Sequence, residues 1–284
     1  MDQGTALIRL AIFGQPVTTS LSPRIHRMFA TQFGLDIDYQ RIETGPADFP
    51  ERLLKFGLEG GHGCNITVPL KRVAWQLTTD HGTAVSLAEA ANTLVRLESG
   101  WASHNTDGAG LMTDLYDNHG INIEGQRVLV VGAGGAVAGI LGSLLAANPK
   151  QVVLVNRNLA RAQSLAMRFN ACGEIEAVGW PDLDAQGSFG LIINATSLGH
   201  QQQAPPLQAR QFADNAVCYD LNYATASHPL RQLCEHLGKN YIDGLGMLVG
   251  QAAESFYLWT RKRPATAAVI EACRSTPDSA RDPK

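Results

Sequence analysis

The stretch CNITVPLK (64–71) ends an apolar, β-branched run with a proline and sets a lysine two residues later. An ammonium at the mouth of a segment that otherwise reads as buried can donate a proton to a forming alkoxide. As the free amine it can take that proton back. Three more polar clusters share the first 108 residues: TTSLSP (18–23), AANT (90–93) and HNTDG (104–108). Each lies near the end of an apolar strand-like run, where α/β folds collect ligand groups. Hydroxyls, a lysine, an amide and a carboxylate together suit a small, oxygen-rich molecule. Taken singly, each has a structural explanation, such as Ser22 capping a helix before Pro23 or Asp107 closing a turn. All four beside a nucleotide-binding half favour a site.

That half is signalled by VLVVGAGGAVAG (128–139), which places Gly132, Ala133, Gly134, Gly135 and Ala136 between a strand and a helix. Such a turn lets backbone approach a pyrophosphate, and the free N–H groups of the helix start attract the anion. The third position of the GxGxxG pattern holds Val137, so the turn alone does not prove a nucleotide. The second strand specifies the nucleotide further. QVVLV (151–155) is followed by Asn156, Arg157, Asn158 and Arg161, with no carboxylate between 151 and 173. A carboxylate would suit the ribose hydroxyls of NAD, whereas arginines suit the 2′-phosphate of NADP. Arg157 and Arg161 stand four residues apart and are expected one helical turn apart on one face.

The elements that must hold these groups alternate as in an α/β protein. In the first half, strands are expected at 7–13, 37–43 and 63–68, and helices at 23–34, about 46–56 and 71–91. A hairpin follows at 92–97 and 100–104. In the second half, 127–131, 151–155, 191–194 and 216–221 read as buried strands, with helices to about 147 and over about 159–170. The expected architecture is an N-terminal α/β substrate domain, 1–106, completed by C-terminal helices in 244–284. A Rossmann-like doubly wound parallel-sheet domain, 107–243, is expected to bind NADP, with a cleft between the two.

Composition excludes several classes. Hydrophobic residues make up 45% of the 284 and charged residues 17%, with a formal net charge of −3 and no block of like charge. Neither nucleic acid nor a membrane surface is expected as a partner. No apolar run approaches the roughly 20 residues of a membrane span. The start, MDQGTALIRLAIFG, is not expected to be a signal peptide. Five cysteines without a CxxC pair suit reduced thiols and a cytoplasmic location. The eight histidines form no HxxxH cluster, so no metal is expected.

In order along the chain, these motifs resemble the shikimate dehydrogenase family. Its SxSPxxH is SLSPRIH (20–26), its NxTxPxK is NITVPLK (65–71), and its NTDG is 105–108. Its GAGGA is 132–136, its NATS is 194–197, and its DGLGMLxxQAA runs from Asp243 to Ala253. Where the family usually reads GAVNT, this chain has EAANT, with Glu89 in place of the glycine. The resemblance implies reversible, NADPH-dependent reduction of 3-dehydroshikimate to shikimate in aromatic amino acid biosynthesis, by a monomer or homodimer. It implies that Lys71 is the catalytic lysine and Asp107 its partner. Ser20, Ser22 and Tyr223 then hold the substrate carboxylate, and Thr67, Asn92 and Gln251 the ring hydroxyls or carbonyl. Gly132 to Ala136, Asn156, Arg157, Asn158 and Arg161 contact NADP, with Leu221 and Gly244 near the nicotinamide. A quinate/shikimate or aminoshikimate dehydrogenase of the same fold is the alternative. A methylenetetrahydrofolate dehydrogenase fits the serine pair and NTDG poorly, and a regulator without chemistry would have no need of Lys71 and Asp107.

Overall fold

The computed structural model describes residues 7–275. Expectations for the N-terminal stretch and for the run to residue 284 fall partly on 1–6 and 276–284, outside the described residues. Two compact units are present, Met1–Gly110 with Leu248–Lys284, and Leu111–Met247.

The first unit runs β1 (Ile8–Gly14), α1 (Ser22–Thr31), β2 (Ile37–Glu43), α2 (Phe49–Leu58), β3 (Gly61–Ile66), α3 (Lys71–Gln76), β4 (Asp80–His81), α4 (Thr83–Ala88), β5 (Thr93–Arg96) and β6 (Trp101–His104). Its sheet has the order β2-β1-β3-β5-β6-β4. β1 pairs parallel with β2 and β3, and the hairpin of β5 and β6 adds antiparallel to β3. Phe49, Leu53 and Phe56 recur at helical spacing on α2 and pack with Phe13, Cys64 and Ile66. The helix expected over 71–91 is broken in two. Its middle forms β4, whose two residues pair with Ala102 and Ser103 on the sheet edge. The helix expected over 23–34 ends at Thr31, and Gly34 follows at φ 61°. The strand expected to reach 68 stops at Ile66, so Thr67 to Leu70 form the turn into α3.

The second unit begins within α5 (Asp107–Thr113), which continues as a π-helical turn over Asp114–Asn118. It continues through β7 (Arg127–Val131), α6 (Gly135–Ala146), β8 (Gln151–Val155), α7 (Leu159–Phe169), β9 (Ile175–Val178), β10 (Phe189–Asn194), β11 (Phe212–Asp220), α8 (His228–His236) and β12 (Asn240–Asp243). Its sheet is fully parallel, in the order β12-β11-β10-β7-β8-β9. The central strands are near-continuous apolar runs because helices cover both faces. Val128 to Val131 and Val152 to Val155 are all buried.

α9 (Leu245–Thr260) then carries the chain back to the first unit, and α10 (Ala267–Arg274) follows. Phe256 of α9 packs edge-on against Phe29 at 5.6 Å, and Trp259 Nε1 donates to the Leu94 carbonyl at 2.9 Å. Gly63 lies under that indole: a Cβ there would come within 2.1 Å of Trp259 Nε1.

Candidate functional site

Lys71 opens α3, so the turn after β3 delivers its side chain at the strand's C-terminal end. Its ammonium pairs with Asp107 Oδ2, and the two side chains are only 16% and 8% exposed. Asp107 is placed by its own neighbours. Its backbone N–H donates to Asn105 Oδ1 at 3.0 Å, and Asn105 Nδ2 donates to the Ala90 carbonyl at 2.8 Å. Asn92 sits beside the pair, with Nδ2 2.8 Å from Asp107 Oδ1, 2.9 Å from Thr106 Oγ1 and 3.2 Å from Gln251 Oε1. The Thr106 N–H holds Asn92 Oδ1 at 2.8 Å, which fixes which end of the amide faces the carboxylate. Lys71, Asp107, Asn92 and Gln251 therefore form one network within the first unit.

The serines form a second group in that unit. Ser20 Oγ lies 3.2 Å from Ser22 Oγ and accepts the Ser22 N–H at 3.2 Å. Arg41 donates to the Ser20 carbonyl at 2.7 Å, so the guanidinium braces this turn through its backbone. Asn65, the first letter of NITVPLK, is buried beside the first group, its Nδ2 3.3 Å from the Asn92 carbonyl. Its Nδ2 donates to Ser255 Oγ at 3.0 Å, and its Oδ1 accepts the Tyr39 hydroxyl at 2.6 Å and His26 Nε2 at 3.2 Å. Burial pushes His26 down to about 3, so it is a neutral structural ring stacked on Tyr39 at 4.7 Å. Thr67 is half-buried, and its methyl fills the space that a Cβ on Gly14 would need, 2.3 Å away. Tyr39 and Ser255 lie outside every motif of the sequence, and Thr106 lies within HNTDG without a role of its own there. The alternation of β2 and the helical spacing of Gln251 and Ser255 were the available signals.

The second unit holds the remaining candidates. Gly132 adopts φ 123°, and a Cβ there would lie 3.2 Å from the Ala195 carbonyl oxygen. Gly134 is the N-cap of α6, with Ala133 before it and Gly135 and Ala136 opening the helix. A Cβ on Gly134 or Gly135 would meet nothing within 4 Å, so the space before this helix start is open. Asn158 caps α7, its Oδ1 accepting the Arg161 N–H at 3.2 Å, and Asn156 Nδ2 donates to the Asn158 carbonyl at 2.9 Å. This corrects the expected geometry of the arginines. Arg161 is on the helix, but Arg157 precedes the extended N-cap, so the two do not share a helical face. Both are exposed, and neither makes an ion pair with a described residue.

Leu221 and Tyr223 follow the end of β11, and Gly244 follows β12. A Cβ on Gly244 would come within 2.4 Å of the Leu221 carbonyl oxygen, so only glycine fits. Among the described residues no group of three or more His, Cys, Asp or Glu could hold a metal ion. No described helix is long and apolar enough to cross a membrane.

Known proteins match along most of the chain. A model of the shikimate dehydrogenase substrate binding domain matches residues 12–94. One of shikimate / quinate 5-dehydrogenase matches 114–202, and one of the shikimate 5′-dehydrogenase C-terminal domain matches 244–274. A shikimate dehydrogenase (NADP(+)) from Alkalilimnicola ehrlichii is 45% identical over 94% of this chain and 98% of its own length. An Ael1 enzyme from Pseudomonas putida superposes with a TM-score of 0.87 at 37% identity, covering 93% of this chain and 97% of its own. A shikimate 5-dehydrogenase from Thermus thermophilus, solved in complex with NADP(H) and shikimate, superposes with a TM-score of 0.81 at 31% identity. That match covers 94% of this chain and 98% of the other.

Proposed function

The chain belongs to the shikimate dehydrogenase family, and on that premise we propose that it reduces 3-dehydroshikimate reversibly to shikimate with NADPH, a step of aromatic amino acid biosynthesis. The observation that carries the assignment of the chemistry is the half-buried Lys71 paired with the buried Asp107, with Asn92 and Gln251 on the same network.

Lys71 Nζ donates a proton to the oxygen of the reduced ketone, and takes it back when shikimate is oxidised. Asp107 holds the ammonium in place, and its burial strengthens that hold. Asn92 and Gln251 offer amide donors and acceptors to ring hydroxyls, and Thr67 a hydroxyl. Ser20 and Ser22 of the first unit hold the carboxylate by hydroxyl donation, and the Tyr223 hydroxyl of the second unit is a further candidate donor to it.

NADP is the fitting cofactor for the second unit. The open space before α6 admits the pyrophosphate at Gly132 to Ala136, and the exposed Arg157 and Arg161 suit a 2′-phosphate, with Asn156 and Asn158 beside them. Leu221 and Gly244 border the nicotinamide. When bound, this group supplies or accepts the hydride.

Parallel assays of shikimate and quinate oxidation with NADP and with NAD test the proposal. Shikimate with NADP is expected to give the highest kcat/KM. Faster turnover of quinate with NAD would assign the chain to the quinate branch of the same fold instead.

A further inference from the structure

Asp220 ends β11 with a carboxylate that is 1% exposed. Every side chain and N–H that bonds it is a donor. Oδ1 accepts Asn194 Nδ2 at 2.9 Å, the Asn222 N–H at 3.0 Å and Asn222 Nδ2 at 2.8 Å. Oδ2 accepts the Tyr241 hydroxyl at 3.2 Å. Asn194 ends β10 and Asn222 lies just beyond β11, while Tyr241 reaches across from within β12, the neighbouring strand of the parallel sheet. The C-terminal edge of such a sheet is where ligands bind.

The bonds extend outward from this hub. Asn194 Oδ1 accepts the Thr196 N–H at 3.1 Å, and Asn222 Nδ2 reaches the Thr196 carbonyl at 3.0 Å. The Gly244 N–H donates to the Asn222 carbonyl at 3.0 Å, and the Leu221 N–H to the Asn194 carbonyl at 2.8 Å. Ala195, between the bonded Asn194 and Thr196, backs directly onto the Gly132 turn. One carboxylate thus links the loops 194–196 and 221–223 directly; through the backbone, the first abuts the glycine-rich turn and the second meets Gly244.

We infer that Asp220 is a positioning residue that shapes the dinucleotide-binding edge of the second unit while touching no ligand itself. Keeping a buried carboxylate at this point has a cost. Burial pushes it up to about 6, so its ionised form is disfavoured in the fold despite four donors. Such groups concentrate at functional sites. The inference rests on the NADP(H) reading above.

The test measures NADPH affinity by its fluorescence, separately from turnover and from melting temperature. Asp220→Ala leaves buried donors without an acceptor and is expected to raise the Kd for NADPH roughly tenfold, while Asp220→Asn, which keeps an acceptor oxygen, stays within about threefold of wild type. Shikimate affinity should change less than NADPH affinity, because only Tyr223 of its proposed partners lies on a loop that Asp220 holds. Asn222→Ala serves if Asp220→Ala does not fold: it removes the side-chain bonds to Asp220 and Thr196 and should raise the Kd roughly threefold. A lower melting temperature with unchanged NADPH Kd in Asp220→Ala or Asn222→Ala would overturn the inference and leave Asp220 a structural residue. Equal Kd values in Asp220→Ala and Asp220→Asn would overturn it too. A wild type that does not bind NADPH is a different result, because it removes the functional reading on which the inference stands.

Discussion

Asn92 Nδ2 donates to Asp107 Oδ1 at 2.8 Å, so the carboxylate presents its other oxygen to the Lys71 ammonium. The amide is itself held by Thr106, and the aspartate by Asn105. The lysine is therefore aimed by a chain of bonds with little freedom. Replacing Lys71 with Ala should lower kcat by on the order of 10² or more, the scale of a lost general acid–base group. Shikimate affinity should change less. Asp107→Asn should also lower kcat, because the ammonium loses its orienting charge. Near-normal steady-state turnover in Lys71→Ala would remove that residue from the chemical step.

Two glycines of the second unit separate packing from ligand binding. A Cβ on Gly134 meets open space, whereas one on Gly244 meets the backbone of Leu221 and Asp220. Gly134→Ala should leave the melting temperature close to wild type yet weaken NADPH, because the new methyl stands in the phosphate space. Gly244→Ala should cost about 1–3 kcal/mol of stability, the scale of overpacking, and weaken NADPH as well. Thermal melts beside fluorescence titrations check both. A Gly134→Ala variant with wild-type NADPH affinity would place the phosphates elsewhere.

The sequence was most legible where one physical signal dominated. The central strands of the second sheet are apolar on both faces and read directly, as did the Gly132 turn and the clusters around Lys71, Asn92 and Asp107. Edge strands were missed. β9 and β12 are half-exposed and carry polar residues, so neither alternation nor a buried run marks them. The two residues of β4 interrupt a helical pattern because an open sheet edge offered pairing, a tertiary effect with no local signature. Asp220 read as the end of a strand. Its role depends on donors from two other strands, which no spacing in the sequence brings together.

The cofactor preference should lie in Arg157 and Arg161. Both are exposed, and they approach from different elements, one before the N-cap of α7 and one after it. NAD leaves them solvated, so the preference arises from attraction to the 2′-phosphate rather than exclusion of NAD. Replacing both with Ala should raise the KM for NADP by about tenfold or more, as expected for losing charge-assisted hydrogen bonds. NAD kinetics should barely change. The kcat/KM ratio of the two cofactors in wild type and variant is the readout, and an unchanged ratio would show that these arginines do not read the phosphate.

Glu89 occupies a left-handed conformation, φ 48° and ψ 35°, at the end of α4. This is the position at which the resemblance led us to expect glycine. A side chain there strains the backbone, and a β-branched one strains it more. Glu89→Gly should be at least as stable as wild type, and Glu89→Val less stable by about 1–2 kcal/mol. Chemical denaturation of the three proteins ranks them. A valine variant as stable as wild type would mean that the backbone relaxes out of this conformation.

Asp220 also gives the fold a pH dependence of unusual sign. Most buried carboxylates are held low by partners and lose their contribution as pH falls. Burial instead raises Asp220 from its ordinary 3.8 to about 6, and the hydrogen bonds from Asn222, Asn194 and Tyr241 oppose this without reversing it. The native state therefore binds this proton more tightly than the unfolded chain. Above pH 6 the ionised form costs stability, and the cost fades as pH falls from there toward the ordinary value. Asp184, held low by Arg210 on the surface, runs the other way, so the total curve mixes both slopes. The difference between wild type and Asp220→Asn isolates the one group. The melting temperature of wild type minus that of the variant should rise as the buffer is taken from about pH 7.5 to about pH 5. A difference that stays constant over that range would show that Asp220 does not titrate there, and that its four donors outweigh its burial.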